Sequence, residues 1–452
     1  MLPFDFIEEM RSQLGAELDP FLQALQGERE TSVRVNDKIA FEQLRVLHEA
    51  GLEEVPWCPD GYYVRRRPQF TLDPLMHAGC YYVQEASSMF VDEVLAQHVS
   101  PDSIVLDMCA APGGKSTIIS QFLGQDGILI SNEVVRQRVF ILAENIQKWG
   151  NGNTVVTHNR AKDFGDKAEN LFDCVLVDAP CSGEGLFRKD AGAVDEWSLK
   201  NVTMCAERQR EILRYVWPSL RPGGVMIYST CTYNEQEDEL NALFIRDTLG
   251  ADELKVDIEP DWGITQSGKI GYHFYPHKTR GEGFYIAVLR KHGNSSPERT
   301  LPSSSKKSKP AQKVDNLSEL QSWLLHPERW TIRQNERFTD AYPRKYEALI
   351  DWLSTHFTCI STGFGMGELR GKYVAPQHSL TMLKDFRKDA FPQVELTLEQ
   401  ALTYLRSESF VLPDQPVGHL VMTYRGVPLG VVKNVGSHCN NLYPNEWRIR
   451  KL

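Results

Sequence analysis

The stretch Leu106-Asp107-Met108-Cys109-Ala110-Ala111-Pro112-Gly113-Gly114-Lys115 constrains this chain more than any other. An apolar run from Ser103 to Met108 stops at small residues and a glycine pair, and a helical pattern then runs from Lys115 to about Phe122. Strand, Gly-rich turn and helix N-terminus predict a nucleotide cradle. Glycines let the backbone approach a ligand, and the first helical N–H groups face it. Gly114-Lys115-Ser116 fits the end of a phosphate-binding G-x-x-x-x-G-K-[ST] loop, but Cys109 stands where its first glycine must be, and G-x-G-x-x-G is absent. What remains is the turn of an S-adenosylmethionine site, whose ligand brings an adenosine and an amino acid but no phosphate. A second predicted strand, Gly127 to Ser131, ends at Asn132-Glu133, and an acid there can hold ribose hydroxyls. The turn alone also fits any doubly wound domain with a tight first connection.

The rest of the chain narrows the choice. Its 452 residues suggest two to four domains. No stretch approaches the roughly 20 apolar residues of a membrane span, and the N-terminus lacks a basic-then-apolar leader, so a cytoplasmic location with no membrane partner is expected. None of the nine cysteines forms a C-x-x-C pair, which fits a reducing compartment and predicts no metal site. A net charge of −10 removes global attraction to nucleic acid, so RNA contact would rest on local basic patches. A monomer is the default.

Residues 1–75 read as a small N-terminal α/β RNA-recognition domain. Phe6-Ile7-Met10-Leu14 and Phe41-Leu44-Leu47 have helical spacing, Thr31 to Asn36 alternates as a strand, and Tyr62-Tyr63-Val64-Arg65-Arg66-Arg67 mixes rings and cations as RNA binding would. A solvated edge strand explains those arginines equally well. Residues 76–291 carry strand-like runs at Ile104–Met108, Gly127–Ser131, Thr154–Thr157, Phe172–Val177, Val225–Ser229 and Phe284–Leu289, with helical patterns such as Val134–Trp149 and Met204–Trp217 between them. That alternation predicts an α/β fold: a Rossmann-like, doubly wound parallel sheet whose ligands gather at the carboxyl ends of the strands. Cys109, Glu133, Asp178 and Cys231 all fall at such ends. Residues 292–315, rich in Ser, Pro and Lys, read as a linker. A C-terminal α+β extension follows: residues 316–390 as an intermediate domain, then 391–452 as a β-rich module with short strands around Val411, Gly418–Met422 and Val427–Val432. Its basic end, Trp447 to Lys451, suits RNA.

Two cysteines then take on meaning. Asp178-Ala179-Pro180-Cys181-Ser182-Gly183 ends one strand, at the point where many amine methyltransferases carry an aromatic residue; here a thiol stands instead. Cys231 follows the next strand in Tyr228-Ser229-Thr230-Cys231-Thr232-Tyr233-Asn234-Glu235, ahead of a helix that Asn234 would cap with Glu237 three residues on. Carbon 5 of a pyrimidine is a poor nucleophile until carbon 6 is attacked, and thiolate is the suitable attacker. A lone cysteine after a strand is usually a buried small hydrophobe. Two of them beside an aspartate and a cofactor turn are a different matter.

These segments, with Tyr82-Val83-Gln84-Glu85-Ala86-Ser87-Ser88, resemble the signature motifs of the Nol/Nop/Sun RNA 5-methylcytosine methyltransferases over about residues 30 to 291. The layout is similar to that of the bacterial RsmF subfamily, which methylates a cytosine of 16S ribosomal RNA, and the tail resembles a PUA-type RNA-binding module more loosely. The resemblance implies that Cys109, Ala110, Ala111, Pro112, Gly113, Gly114 and Lys115 line S-adenosylmethionine, that Glu133 binds its ribose, and that Asp178 lies near its methionine part and the target base. Arg160 stands where the family often has Asp or Asn near the adenine, a departure that stacking or hydrogen bonding by the guanidinium could accommodate. The resemblance makes Cys231 the nucleophile and Cys181 the aid to product release. With Asp178 bridging through Lys115 to the ring nitrogen, the expected partner is ribosomal RNA or the small subunit. Two rivals remain: a 5-methyluridine enzyme, and an RNA-binding ribosome-assembly factor that has lost catalysis.

Overall fold

The apolar runs in the middle of the chain form one sheet in the computed structural model, which describes residues 2–293, 314, 316–371 and 373–450. Across its parallel centre lie Thr154–Thr157, Ile128–Asn132, Ile104–Asp107, Phe172–Asp178 and Leu220–Thr230, followed by the antiparallel Phe284–Lys291. Both faces are covered, so these strands read as continuous apolar runs rather than alternating ones. Alternation sorts their side chains between two cores. Leu106, Ile130, Val175 and Met226 enter one, and Val105, Leu129, Leu176 and Ile227 enter the other. Ile104–Asp107 sits between the second and fourth of these parallel strands, so chain direction across the sheet reverses beside it. That is the switch point at which doubly wound sheets open a crevice.

The helices Gly114–Leu123, Arg136–Trp149 and Leu199–Val216 cover this sheet. The last starts earlier than the Met204–Trp217 pattern suggests because its start is set by a cap rather than by apolar spacing: Ser198 Oγ accepts the Asn201 N–H at 3.2 Å.

Both ends of the chain wrap back onto this centre. The strands Leu52–Val55, Cys58–Val64, Ser32–Val35 and Tyr81–Val83 make an N-terminal sheet. Its Val33 and Tyr81, with Leu75 of the short helix Pro74–His77, share a core with Tyr404, Leu420 and Leu429 of the C-terminal module. That module pairs Gly418–Tyr424, Val427–Asn434 and Cys439–Asn441, with Gln393–Glu395 parallel alongside. Within the segment 316–390, Cys359–Ser361 adds an antiparallel strand to the edge of the central sheet, and Leu349 and Leu353 enter the central core. The helices Phe4–Leu14 and Leu18–Leu25 leave the N-terminal sheet altogether. Phe6, Met10 and Phe21 pack on Phe187, Trp197 and Tyr233 at the mouth of the crevice.

Two expectations are corrected. Val411 is exposed in a loop, where Pro413 and Pro416 deny a ladder its donors. The Tyr62-to-Arg67 run offers no stacking platform: Tyr63 is buried beneath the Arg280 guanidinium, 4.0 Å above its ring, and Tyr62 stacks on Phe41. Only Arg65, Arg66 and Arg67 face solvent. Residues 294–313 and 315 of the expected linker, and Lys451, lie outside the described residues. Among the described residues no helix is long and apolar enough to cross a membrane.

Candidate active site

The turn after Ile104–Asp107 is built by local geometry. Gly113 caps the following helix at φ 118°, a backbone that a Cβ would strain, and that Cβ would also crowd Leu142 at 3.2 Å. No side chain caps this helix, so its first N–H groups stay available to a ligand. The turn's carbonyls are turned outward and held: Arg138 Nη2 donates to Ala111 O at 2.6 Å and Asn145 Nδ2 to Pro112 O at 2.8 Å, while Ala110 N–H reaches Asn132 O at 2.9 Å. Asp107 beneath the turn is fully buried. Its Oδ2 accepts from Ser116 Oγ at 2.6 Å, but its Oδ1 has no partner. Burial raises this carboxyl to about 7, against the Ser116 hydrogen bond. An orphaned acceptor beside unfilled donors fits a ligand carrying both kinds of group, as S-adenosylmethionine does.

The two predicted thiols meet. Cys181 Sγ lies 3.0 Å from Cys231 Sγ, although the residues are 50 apart in the chain. Contact with Cys231, and then burial, push the Cys181 thiol well above its ordinary range, and either sulfur can be the donor of the bond between them. Cys109 is also kept a thiol, by burial and then by Asp107 and Glu133. Beside the pair, Lys115 Nζ bonds Asp178 Oδ2 at 2.8 Å, and Ser229 Oγ donates to Asp178 Oδ1 at 2.8 Å. Burial works against the Lys115 ammonium, but Asp178 outweighs it and its pKa is raised.

Two cavities meet at these groups. The larger, about 710 Å³, is lined by Glu133, Val134, Arg160 and Pro180. The smaller, about 380 Å³, is lined by Tyr82, Gln84, Lys115, Lys189 and Phe284. Cys109, Ala111, Asp178, Leu186 and Cys231 border both. Both volumes suit small-molecule sites. Ala110, Pro112 and Gly114 line the smaller cavity and Cys181 the larger, so each expected site residue except Gly113, which shapes the turn, reaches one or both. Glu133 is buried, its Oε1 accepting the Val135 N–H at 2.8 Å, and Arg160 is exposed at the rim.

Sequence reasoning missed several residues that shape this site. Ser229 fixes Asp178. Glu85 accepts the N–H groups of Ser88 at 2.9 Å and Glu282 at 3.0 Å, so the Tyr82–Ser88 segment is fastened to the opposite wall. Arg188 forms a buried ion pair with Glu282 at 2.9 Å. Asn234 Oδ1 does accept the Glu237 N–H at 2.9 Å, but it caps a turn; the helix begins only at Glu239. Ser229 and Asn234 stood inside quoted motifs, whereas nothing in the sequence marked Arg188 or Glu282.

Comparisons with known proteins bear on the family and the fold. Residues 94–290 match the family model described as 16S rRNA methyltransferase RsmB/F, residues 2–86 the N-terminal domain of 16S rRNA methyltransferase RsmF, and residues 391–449 the methyltransferase RsmF PUA domain. The chain is 32% identical to the ribosomal RNA small subunit methyltransferase F of Salmonella typhi, covering 98% of this chain and 96% of that protein. It is 31% identical to the protein of the same name from Aliivibrio fischeri, over 98% and 97%. Among solved structures, a methyltransferase homologue from Pyrococcus horikoshii matches with a TM-score of 0.53 at 28% identity, covering 61% of this chain and 91% of that one. NSun6 from the same organism, solved with an S-adenosylmethionine analogue, matches with a TM-score of 0.55 at 24% identity over 65% and 99%.

Proposed function

The chain belongs to the ribosomal RNA small subunit methyltransferase F family of S-adenosylmethionine-dependent enzymes, and from that premise we propose that it methylates carbon 5 of a cytosine in 16S rRNA through a covalent bond to Cys231. The observation that carries this reading is the pair of sulfurs in contact where two cavities join. When bound, S-adenosylmethionine supplies the electrophilic methyl group. Glu133 and Arg160 hold its adenosine end in the larger cavity, and the turn from Cys109 to Lys115 and Asp178 hold its amino-acid end.

The target base enters the smaller cavity, out of its stack, against Phe284 and Lys115. Cys231 thiolate adds to carbon 6. The negative charge that then builds on the ring nitrogen meets Asp178, supplied with a proton through its 2.8 Å bond to Lys115. Carbon 5, now enamine-like, takes the methyl group. Loss of the carbon 5 proton to a base expels Cys231, and the Cys181 S–H lies in position to stabilise the departing sulfur. In this reading the enzyme works as a cytoplasmic monomer and needs no metal, and its RNA contacts come from Arg65, Arg66 and Arg67 and from the PUA module.

Bisulfite sequencing of small-subunit RNA treated with the protein and S-adenosylmethionine tests the reading, because methylated cytosine resists conversion. One new resistant cytosine, absent with Cys231→Ala, is the expected result. Methylated uridine, or an unchanged signal with Cys231→Ala, would contradict it.

A further inference from the structure

The sulfurs touch although they ride on different loops, and the residues that hold those loops are two buried acids used crosswise. Glu184 belongs to the Cys181 loop, yet its carboxylate grips the Cys231 loop. Its Oε2 accepts the Tyr233 N–H at 2.8 Å, the Asn234 N–H at 3.2 Å and the Thr232 hydroxyl. Glu237 belongs to the Cys231 loop, yet its Oε2 accepts the Ser182 N–H at 3.0 Å, one residue from Cys181, and Gln209 Nε2 at 2.6 Å. Between the acids sits the Asn234 amide, which donates to Oε1 of each at 2.9 Å. Trp197 Nε1 completes the Glu184 set at 2.9 Å. Both acids are fully buried, where a carboxylate survives only if such donors replace its water.

Every hydrogen bond to these two carboxylates is donated by a neutral group, although each acid also lies near the other and near the Glu9 carboxyl. No Lys, Arg or His donates to them; most of the donors are backbone and amide N–H groups of the thiol loops themselves, joined by the Thr232 hydroxyl and, from outside the loops, by Trp197 and Gln209. We propose that Glu184 and Glu237 are positioning residues, a crossed pair that holds Cys181 and Cys231 in contact. The inference rests on the covalent reading for its purpose, because a nucleophile and the group that assists its departure must share one site throughout the cycle. It does not rest on that reading for its test.

The test uses the full-length protein and needs neither RNA nor methyl transfer. In a glutathione buffer the two thiols and one oxidised glutathione give one Cys181–Cys231 disulfide and two reduced glutathiones. The equilibrium, read by mass spectrometry of the linked peptides, gives the effective concentration of one thiol at the other. Glu184→Gln and Glu237→Gln place an amide N–H where only donors converge. Each is expected to lower that effective concentration about tenfold or more in the folded protein. Val216→Ala, a cavity variant in the central core, is expected to lower Tm but leave the thiol equilibrium alone. In turnover, the glutamine variants lower kcat and spare the KM for S-adenosylmethionine.

Should the glutamine variants fail to fold, Trp197→Phe and Gln209→Met, which remove one donor each, decide with smaller shifts in the same direction. Wild-type thiol equilibrium in the folded acid variants, or in both donor variants, would overturn the proposal. So would a wild-type chain that forms no such disulfide.

Discussion

The glycine turn and the thiol loops lie side by side, yet they are held in different ways. The turn from Cys109 to Lys115 is shaped first by its own residues, a left-handed glycine and a helix start, and its carbonyls are then tied down by Arg138 and Asn145 of the following helix Arg136–Trp149. The thiol loops carry no such local code. Their sulfurs meet because Glu184 and Glu237 reach across to each other's loop, and because Phe6 and Phe21, from the far N-terminus, pack against Phe187 and Tyr233 below them. A binding site can be written in a short stretch. A reaction centre with two reactive groups needs distant parts of the chain to agree.

Variants that act on one side and spare the other sharpen this contrast. The largest effect is expected where the two sides join. Lys115→Met removes the partner of Asp178 and a residue of the turn proposed to hold the amino-acid end of S-adenosylmethionine, so it should lower kcat about 10²- to 10³-fold and weaken S-adenosylmethionine binding as well, measured by single-turnover methyl transfer and calorimetry. Gly113→Ala attacks the turn alone. It should weaken S-adenosylmethionine binding about 10- to 100-fold while the Cys181–Cys231 disulfide forms as in the wild type.

The smallest effect belongs to the thiol side. Burial, with Glu184, Asp5 and Glu237 nearby, raises the Glu9 carboxyl from 4.5 to about 7. The folded state therefore holds a proton that the unfolded chain has lost between those values, so this group's stabilisation is full below about 4.5 and disappears as pH rises through about 7. Glu9→Gln should remove that slope and raise Tm at pH 8 by about 1–3 °C, with almost no change at pH 5, by thermal unfolding at the two pH values.

The same contrast explains what could be read from the letters. The doubly wound sheet was legible because its strands are continuous apolar runs, and the turn was legible because Gly113, Gly114 and the flanking periods are local signals. Cys181 and Cys231 were legible by residue type, at strand ends beside Asp178. Glu184 was not, and Glu237 was read only as the companion of the Asn234 cap, since a glutamate in a sequence ordinarily means a solvated side chain and only the fold surrounds these two with donors from the opposite loop. Nor could the sequence announce that Cys359–Ser361 completes the central sheet, since edge pairing depends on which surface the chain returns to. Tyr63 was misread for the same reason: the cation that covers it, Arg280, comes from more than two hundred residues away.

The central claim is that Cys231 bonds the base and Cys181 assists its release within one site. Denaturing gels of Cys181→Ala, incubated with labelled small-subunit RNA and S-adenosylmethionine, test it most directly. The account predicts a protein–RNA adduct that survives denaturation in Cys181→Ala and vanishes in the Cys181→Ala, Cys231→Ala double variant. An adduct that persists without Cys231, or a Cys181→Ala protein that turns over freely and leaves none, would contradict it.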